Sequence, residues 1–85
     1  MSRIVVVGSI NRDLVIPVPR LPVVGETLAG EDLSALGGGK GANQAVACSR
    51  LRAQVHLIGA VGDDAFGTAM LEELQRDKVS CRGVK

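Results

Sequence analysis

Aromatic side chains are nearly absent from this chain of 85 residues, which has no Trp, no Tyr and a single Phe at position 66. Proteins that bind single-stranded nucleic acid stack bases on aromatic rings, and they carry clustered Lys and Arg. Here 10 basic and 9 acidic residues are scattered along the chain and give a net charge of +1. The composition therefore argues against nucleic acid as a partner.

Cysteine and histidine are also scarce, with only Cys48, Cys81 and His56. They form neither a disulfide framework nor a set with zinc-ligand spacing, and Cys48 falls on the apolar side of a helical pattern, which predicts a small core residue. The first apolar run, Ile4 to Val7, is far too short for a signal peptide or a membrane span. We therefore expect a soluble, reduced, cytoplasmic protein with no metal site among these residues and no membrane partner.

Strand and helix patterns alternate along the chain. The β-branched runs Arg3–Val7 and Val55–Val61 predict buried strands of a parallel sheet. Apolar residues at three-to-four spacing predict helices over Ala42–Leu51 and Ala65–Asp77, the second capped by Asp64. This order predicts an α/β fold in which a Rossmann-like parallel sheet is flanked by helices and joined by right-handed crossovers.

Residues 14–36 do not fit that sheet. Leu14–Val18 is rich in β-formers, but Pro17 lacks an amide donor, so the segment suits only an edge strand. Glu26–Leu36 alternates loosely and predicts one or two further strands. We interpret residues 14–36 as a small β lid that projects from the sheet.

The last residues, Val79–Lys85, predict a turn followed by the start of another strand, with no element to cap it. We therefore expect an incomplete fold, in which residues 1–85 are the amino-terminal part of a longer domain.

A glycine-rich run surrounds Lys40, from Gly37 to Gly41, and leads directly into the first predicted helix. Glycines leave backbone N–H groups bare, and a helix N-terminus attracts negative charge, so the run predicts a ligand site for an anion or a sugar.

Two nucleotide motifs are close in spacing to this run. A Walker A loop would need glycine at position 34 and a hydroxyl at position 41, where the chain has Ser34 and Gly41. The dinucleotide fingerprint is matched at three positions, Gly37, Gly39 and Ala42. Asp63 follows about twenty residues later, as the ribose-binding acid should. That fingerprint must follow its strand immediately, whereas the clear first strand, Arg3–Val7, ends some thirty positions before Gly37, so we expect neither site.

Asn11 and Asp13 follow the first strand, where ligands bind in open α/β sheets. In an extended chain their spacing points both side chains to one side. An amide and a carboxylate together suit neighbouring hydroxyls, as in a sugar. On spacing alone, a turn in which Asn11 and Asp13 bond to their own backbone is an equal alternative.

Four motifs occur in order along the whole chain: Gly8-Ser9-Ile10-Asn11-x-Asp13, Pro22-x-x-Gly25-Glu26-Thr27, Gly38-Gly39-Lys40-Gly41-Ala42-Asn43-Gln44-Ala45 and Gly59-x-x-Gly62-Asp63-Asp64-x-x-Gly67. Together they resemble the amino-terminal part of the phosphofructokinase-B (ribokinase) family of carbohydrate kinases. The third motif is more similar to the ribose-phosphorylating members than to the fructokinase-like or adenosine-kinase-like ones. Two positions depart from the pattern: Arg12 stands where small residues are usual, and Gly37 lengthens the glycine run.

The resemblance implies roles for individual residues. Asn11 and Asp13 match positions that hold sugar hydroxyls. A second sugar-binding segment is matched by Gly39, Lys40 and Asn43 and shaped by Gly38, Gly41 and Ala42. The lid at 14–36 matches a β lid that covers the sugar and commonly joins two subunits, which implies a homodimer. Asp64 and Gly67 match a structural turn.

The resemblance also implies the reaction, which is ATP-dependent phosphorylation of D-ribose to D-ribose 5-phosphate. The family's catalytic aspartate, in a Gly-Ala-Gly-Asp loop, and its sites for ATP, Mg²⁺ and a monovalent cation (K⁺) match nothing in these 85 residues. We therefore expect no catalytic, nucleotide-binding or metal-binding residue here, and no activity from these residues alone. The alternatives are a related sugar or nucleoside kinase and a non-catalytic module that binds sugar or dimerises.

Overall fold

The computed structural model describes residues 3–85, which form two sheets and two helices. Strands β1 (Arg3–Val7), β4 (Gln54–Gly59) and β5 (Val79–Val84) form a parallel sheet in the order β1-β4-β5. Strands β2 (Asn11–Val15) and β3 (Ser34–Gly38) form a separate antiparallel pair. The helices are α1 (Lys40–Arg50) and α2 (Ala65–Arg76).

The core lies between the parallel sheet and the two helices, as the alternating pattern predicted. Small residues on α1 allow the helix to lie close to the sheet, and Leu57 of β4 and Leu74 of α2 are fully buried. The buried apolar residues are Val6, Ala42, Ala45, Val55, Leu57, Met70, Leu74 and Val79. Cys48, predicted as a small core residue, is partly buried and packs against this core from its edge.

Burial of the parallel sheet is one-sided within the described residues, which corrects the prediction of buried strands. Val5, Val7 and Ile58 are exposed, whereas their neighbours Val6 and Leu57 face the helices. The strand order advances in one direction, so crossovers of the same hand place both helices on one face.

Several boundaries differ from the prediction. Helix α1 begins at Lys40, two residues early, and β4 ends at Gly59 rather than Val61. Strand β2 occupies Asn11–Val15 rather than Leu14–Val18, and Pro17, which has no N–H to donate to a ladder, lies outside it. No strand occurs at positions 26–33 of the described chain. The strand expected at the end is present as β5, beside β4.

The antiparallel pair and its connection form a flap, defined here as residues 11–38. In register, Asn11 lies opposite Gly38, Arg12 opposite Gly37 and Val15 opposite Ser34. The radius of gyration of the chain is 15.8 Å, against about 12 Å for a compact domain of this length. The flap accounts for this elongation because it lies outside the layered core.

The connection within the flap is held by a local ion pair. Arg20 Nη1 and Nη2 both donate to the Glu26 carboxylate at 2.7 Å, and the Val23 N–H donates to the same carboxylate at 3.2 Å. These hydrogen bonds, from Arg20 first, lower the pKa of Glu26. The pair lies at the surface, with the Arg20 side chain 55% exposed, so it orders the turn more than it stabilises the fold.

Helix α2 begins as predicted. Asp64 is its N-cap, and its carboxylate accepts from the Gly67 N–H at 2.8 Å. Gly67 allows close packing, since a Cβ there would overlap the Gly62 carbonyl oxygen. Neither of the two described helices is long and apolar enough to cross a membrane.

Candidate functional site

The candidate site lies at the carboxyl end of β1, where the chain leaves the parallel sheet for the flap. Residues 8–10 lead from β1 into β2, and Gly39 alone separates β3 from α1. The outgoing segment 8–13 and the returning segment 38–43 therefore lie side by side. This is the edge of an open α/β sheet at which ligands bind.

Glycines allow the two segments to touch backbone to backbone. A Cβ on Gly41 would lie 2.6 Å from the Gly8 carbonyl carbon and 2.8 Å from the Ser9 nitrogen. A Cβ on Gly39 would lie 2.7 Å from the Ser9 oxygen, and Gly39 also has φ of +94°, where side chains are rare. At Gly39 and Gly41 the two backbone segments therefore lie too close together for a side chain. The shaping role predicted for Gly41 requires such a contact.

Ser9 occupies two of the N–H groups at the start of α1. Its hydroxyl accepts from the Lys40 N–H at 3.1 Å, and its carbonyl accepts from the Ala42 N–H at 3.0 Å. The expectation that the glycine run leaves these N–H groups bare was therefore wrong. At these positions the site therefore offers a ligand side chains rather than free backbone N–H groups.

The glycine run is also not a single loop. Gly37 and Gly38 belong to β3, so a strand does precede the helix directly, and the context used against a dinucleotide fingerprint was wrong. The fingerprint needs a parallel βαβ unit, whereas β3 pairs antiparallel with β2.

Four polar side chains surround the junction: Asn11, Asp13, Lys40 and Asn43. All four residues are exposed, and within residues 3–85 none of these side chains takes part in a hydrogen bond or an ion pair. Asn11 and Asp13 lie in β2, so the alternative of a self-bonded turn was wrong. Their side chains share a strand face with Gly38, where a Cβ would lie 2.5 Å from a carboxylate oxygen of Asp13.

The chemistry of these four groups is complementary to a polyol. A carboxylate only accepts hydrogen bonds, an ammonium only donates, and the two amides do both, whereas each sugar hydroxyl needs a donor and an acceptor. Gly41 and Ala42 are buried beneath them, Ala42 with 3% exposure, so they shape the floor rather than contact a ligand through side chains. The predicted roles of all seven residues in sugar binding stay predictions.

An ion pair beside the site was not foreseen. Arg12 contacts Glu73 of α2, although the helical pattern alone assigns Glu73 to the solvated side of that helix. The one sign of this contact in the sequence was that Arg12 departs from the family pattern. Next to the pair, a cavity of about 320 Å³ lies between α1 and α2, lined among others by Asn43, Glu73 and Leu74.

Metal binding has no donor set in the described part of the chain. Within residues 3–85, no three His, Cys, Asp or Glu side chains lie close enough together to hold an ion. The resemblance implies that the sites for Mg²⁺ and a monovalent cation lie outside these residues, and no chemical step is assigned to either cation here.

Comparisons with known proteins agree with the motifs. The family model described as pfkB family carbohydrate kinase matches residues 1–85. The ribokinase of Bacillus subtilis is 49% identical over 79 residues, which are 93% of this chain and 27% of that protein. The chain thus spans little more than a quarter of the length of this relative.

Solved structures give the same result for the fold. The ribokinase of Cryptococcus neoformans in complex with ADP superimposes with a TM-score of 0.87 at 41% identity, over 100% of this chain and 27% of that one. The ribokinase of Arabidopsis thaliana complexed with ribose and ATP gives 0.82 at 38% identity, over 98% and 27%. The predicted Rossmann-like α/β class is confirmed by these similarities.

Proposed function

Because the chain belongs to the pfkB family of carbohydrate kinases, we propose that it forms the sugar-binding part of a cytoplasmic ribokinase, which phosphorylates D-ribose to D-ribose 5-phosphate with ATP. The observation that supports this most directly is the junction of β2 with the start of α1. It gathers four polar side chains that have no partner within residues 3–85 beside a glycine-lined floor. The similarity to a ribokinase that was solved with ribose and ATP favours this sugar.

In this proposal the described residues bind and orient the sugar. The Asp13 carboxylate accepts from ribose hydroxyls, the Lys40 ammonium donates to them, and the amides of Asn11 and Asn43 complete the pairs. Holding the sugar in one pose brings its primary hydroxyl to the position for transfer. ATP supplies the phosphoryl group, and we propose that ATP, Mg²⁺ and K⁺ bind to parts of the protein other than residues 3–85.

The flap has a second proposed role as the lid of this site. It borders the site through Asn11 and Gly38, and closure over the sugar would exclude water, which otherwise competes for the phosphoryl group. Residues 14–36, the lid predicted from the sequence, lie inside the flap.

Substrate competition tests the proposed reaction. For the full-length protein, we expect ATP-dependent phosphorylation of ribose with kcat/KM at least about tenfold above that for fructose or adenosine, because a site that hydrogen-bonds the hydroxyls of one substrate discriminates against compounds that leave its polar groups unpaired. A coupled assay of ADP release measures all three substrates. If the protein preferred fructose or adenosine, that compound would replace ribose as the proposed substrate, within the same family. Activity on none of the three would contradict a sugar kinase.

The flap also supports a proposed homodimer. Its connection exposes apolar side chains, including Leu21 at 88% exposure together with Val23 and Val24, and contiguous apolar surface of this kind marks interaction sites. We expect the full-length protein to sediment as a dimer with or without ribose, and Val24→Glu to sediment as a monomer.

The matched control for the dimer is Leu51→Glu, which places the same charge on another strongly exposed apolar residue, just after α1 and outside the flap. This variant should stay dimeric. A monomeric wild type, or a dimer that Val24→Glu leaves intact, would contradict assembly through the flap.

A further inference from the structure

Arg12 connects the flap to the body of the protein. It stands between Asn11 and Asp13 on β2, so its side chain leaves the opposite face of the strand. Its Nη1 donates to Glu73 Oε1 at 2.8 Å and lies 3.8 Å from Met70 Sδ. Within residues 3–85, every side-chain hydrogen bond from the flap to α2 begins at this one nitrogen.

The second strand of the flap is adapted to the same contact. Gly37 lies opposite Arg12 in the register. A Cβ on Gly37 would lie 2.9 Å from Glu73 Oε2 and 3.2 Å from Met70 Sδ, so a larger residue would crowd the carboxylate that Arg12 contacts. The extra glycine of the run therefore makes room for the ion pair.

Stability alone is a poor explanation of this pair. The side chains of Arg12 and Glu73 are 16% and 39% exposed, and Arg12 Nε is buried with no partner in the described residues. Burying a guanidinium with one N–H unpaired costs free energy, and a well-packed apolar pair is often as stable. What the ion pair adds is a defined orientation between β2 and α2.

We propose that Arg12 and Glu73 are positioning residues, a latch that holds β2 so that Asn11 and Asp13 face the sugar; the proposal rests on the function given above. Without the latch, within residues 3–85 the flap is joined to the body by residues 8–10, by Gly39 and by the packing of Gly37 and the buried Gly38, and no side-chain hydrogen bond fixes the angle of β2 against α2. Because Asn11 and Asp13 flank Arg12, any change in that angle moves both side chains relative to Lys40 and Asn43.

The test uses Arg12→Gln, Glu73→Gln and the double variant of the full-length protein. Each single change should raise the KM for ribose about tenfold and leave the KM for ATP unchanged, and the double variant should be no worse than either single one. The exchanged pair Arg12→Glu with Glu73→Arg should recover most of the ribose affinity. Additive losses, or equal losses for ribose and ATP, would overturn the latch.

The matched control is Glu72→Gln, an exposed neighbour on the same helix that forms no ion pair within residues 3–85. It removes the same charge and should leave both KM values at the wild-type level. A KM for ribose that rises as much in Glu72→Gln as in Glu73→Gln would mean that net charge, not the contact with Arg12, is responsible.

Amide hydrogen exchange tests the latch independently of the reaction. Arg12→Gln should exchange faster than Glu72→Gln at residues 11–15 and 34–38, while β4 keeps its protection. Unchanged exchange in the flap overturns the latch, and faster exchange in the flap and β4 alike would indicate a general loss of stability instead. If the wild type binds no ribose, the proposed function fails, whereas this measurement still decides whether the latch exists.

Discussion

Asp13→Asn in the full-length protein is expected to weaken ribose binding about 10- to 100-fold and to leave nucleotide binding near the wild-type level. Hydrogen bonds to a charged group contribute roughly 1.5–3 kcal/mol, and the amide keeps one acceptor but replaces the other with a donor. Asp13 is exposed and bonds to no other side chain within residues 3–85, so the isosteric change should leave the fold intact.

Isothermal titration with ribose and with ATP, measured separately, checks this expectation. The matched control is Glu72→Gln, which likewise converts an exposed carboxylate into an amide, but on α2 and not among the four polar side chains. Its ribose affinity should equal that of the wild type. Equal losses for sugar and nucleotide in Asp13→Asn would assign Asp13 a structural role, and unchanged ribose affinity would remove it from the site.

Gly39→Ala is expected to lower the free energy of unfolding by about 2–6 kcal/mol and to abolish sugar binding under conditions where the wild type is saturated. Backbone strain at a position reserved for glycine costs about 1–3 kcal/mol, and overpacking costs a similar amount. Gly39 meets both conditions, with φ of +94° and a Cβ position 2.8 Å from the Asn11 nitrogen. Relief of that overlap must move Asn11, Lys40 or both.

Gly25→Ala separates strain from packing. Gly25 has φ of +79°, but no atom lies within 4 Å of the position of its Cβ. We expect a loss of only about 1–2 kcal/mol and unchanged ribose affinity. Urea unfolding of the two variants measures both values. Losses of equal size would mean that the contact of Gly39 with the segment 9–11 contributes nothing.

Local sequence patterns predicted which helices and strands form better than they predicted the residues at which these begin and end. The β-branched run Arg3–Val7 and the cap at Asp64 depend on neighbours in the chain, and both occur where predicted. Helix α1 starts early because Ser9 accepts from the Lys40 N–H, 31 positions away. Ser9 lies outside the glycine run, so the spacing within the run could not indicate this hydrogen bond, and the run was expected to be an open loop.

The candidate site shows the same division. Alternation along an extended chain was sufficient to place Asn11 and Asp13 on one side, and the register confirms that they lie on one face of β2. The residue between them was seen only as a departure from a family pattern. Its partner Glu73 is 61 positions away, on a helix whose periodicity indicated only a solvated side.

The sequence by itself determined the order of strands and helices, the cap of α2 and the motifs that identify the family, because each depends on residues close together in the chain. The tertiary structure decided which N–H groups remain for a ligand, which face of the sheet is covered, and how the flap is attached to α2. These depend on backbone contact across Gly39 and Gly41 and on an ion pair between distant residues, and such contacts exist only once the chain has folded.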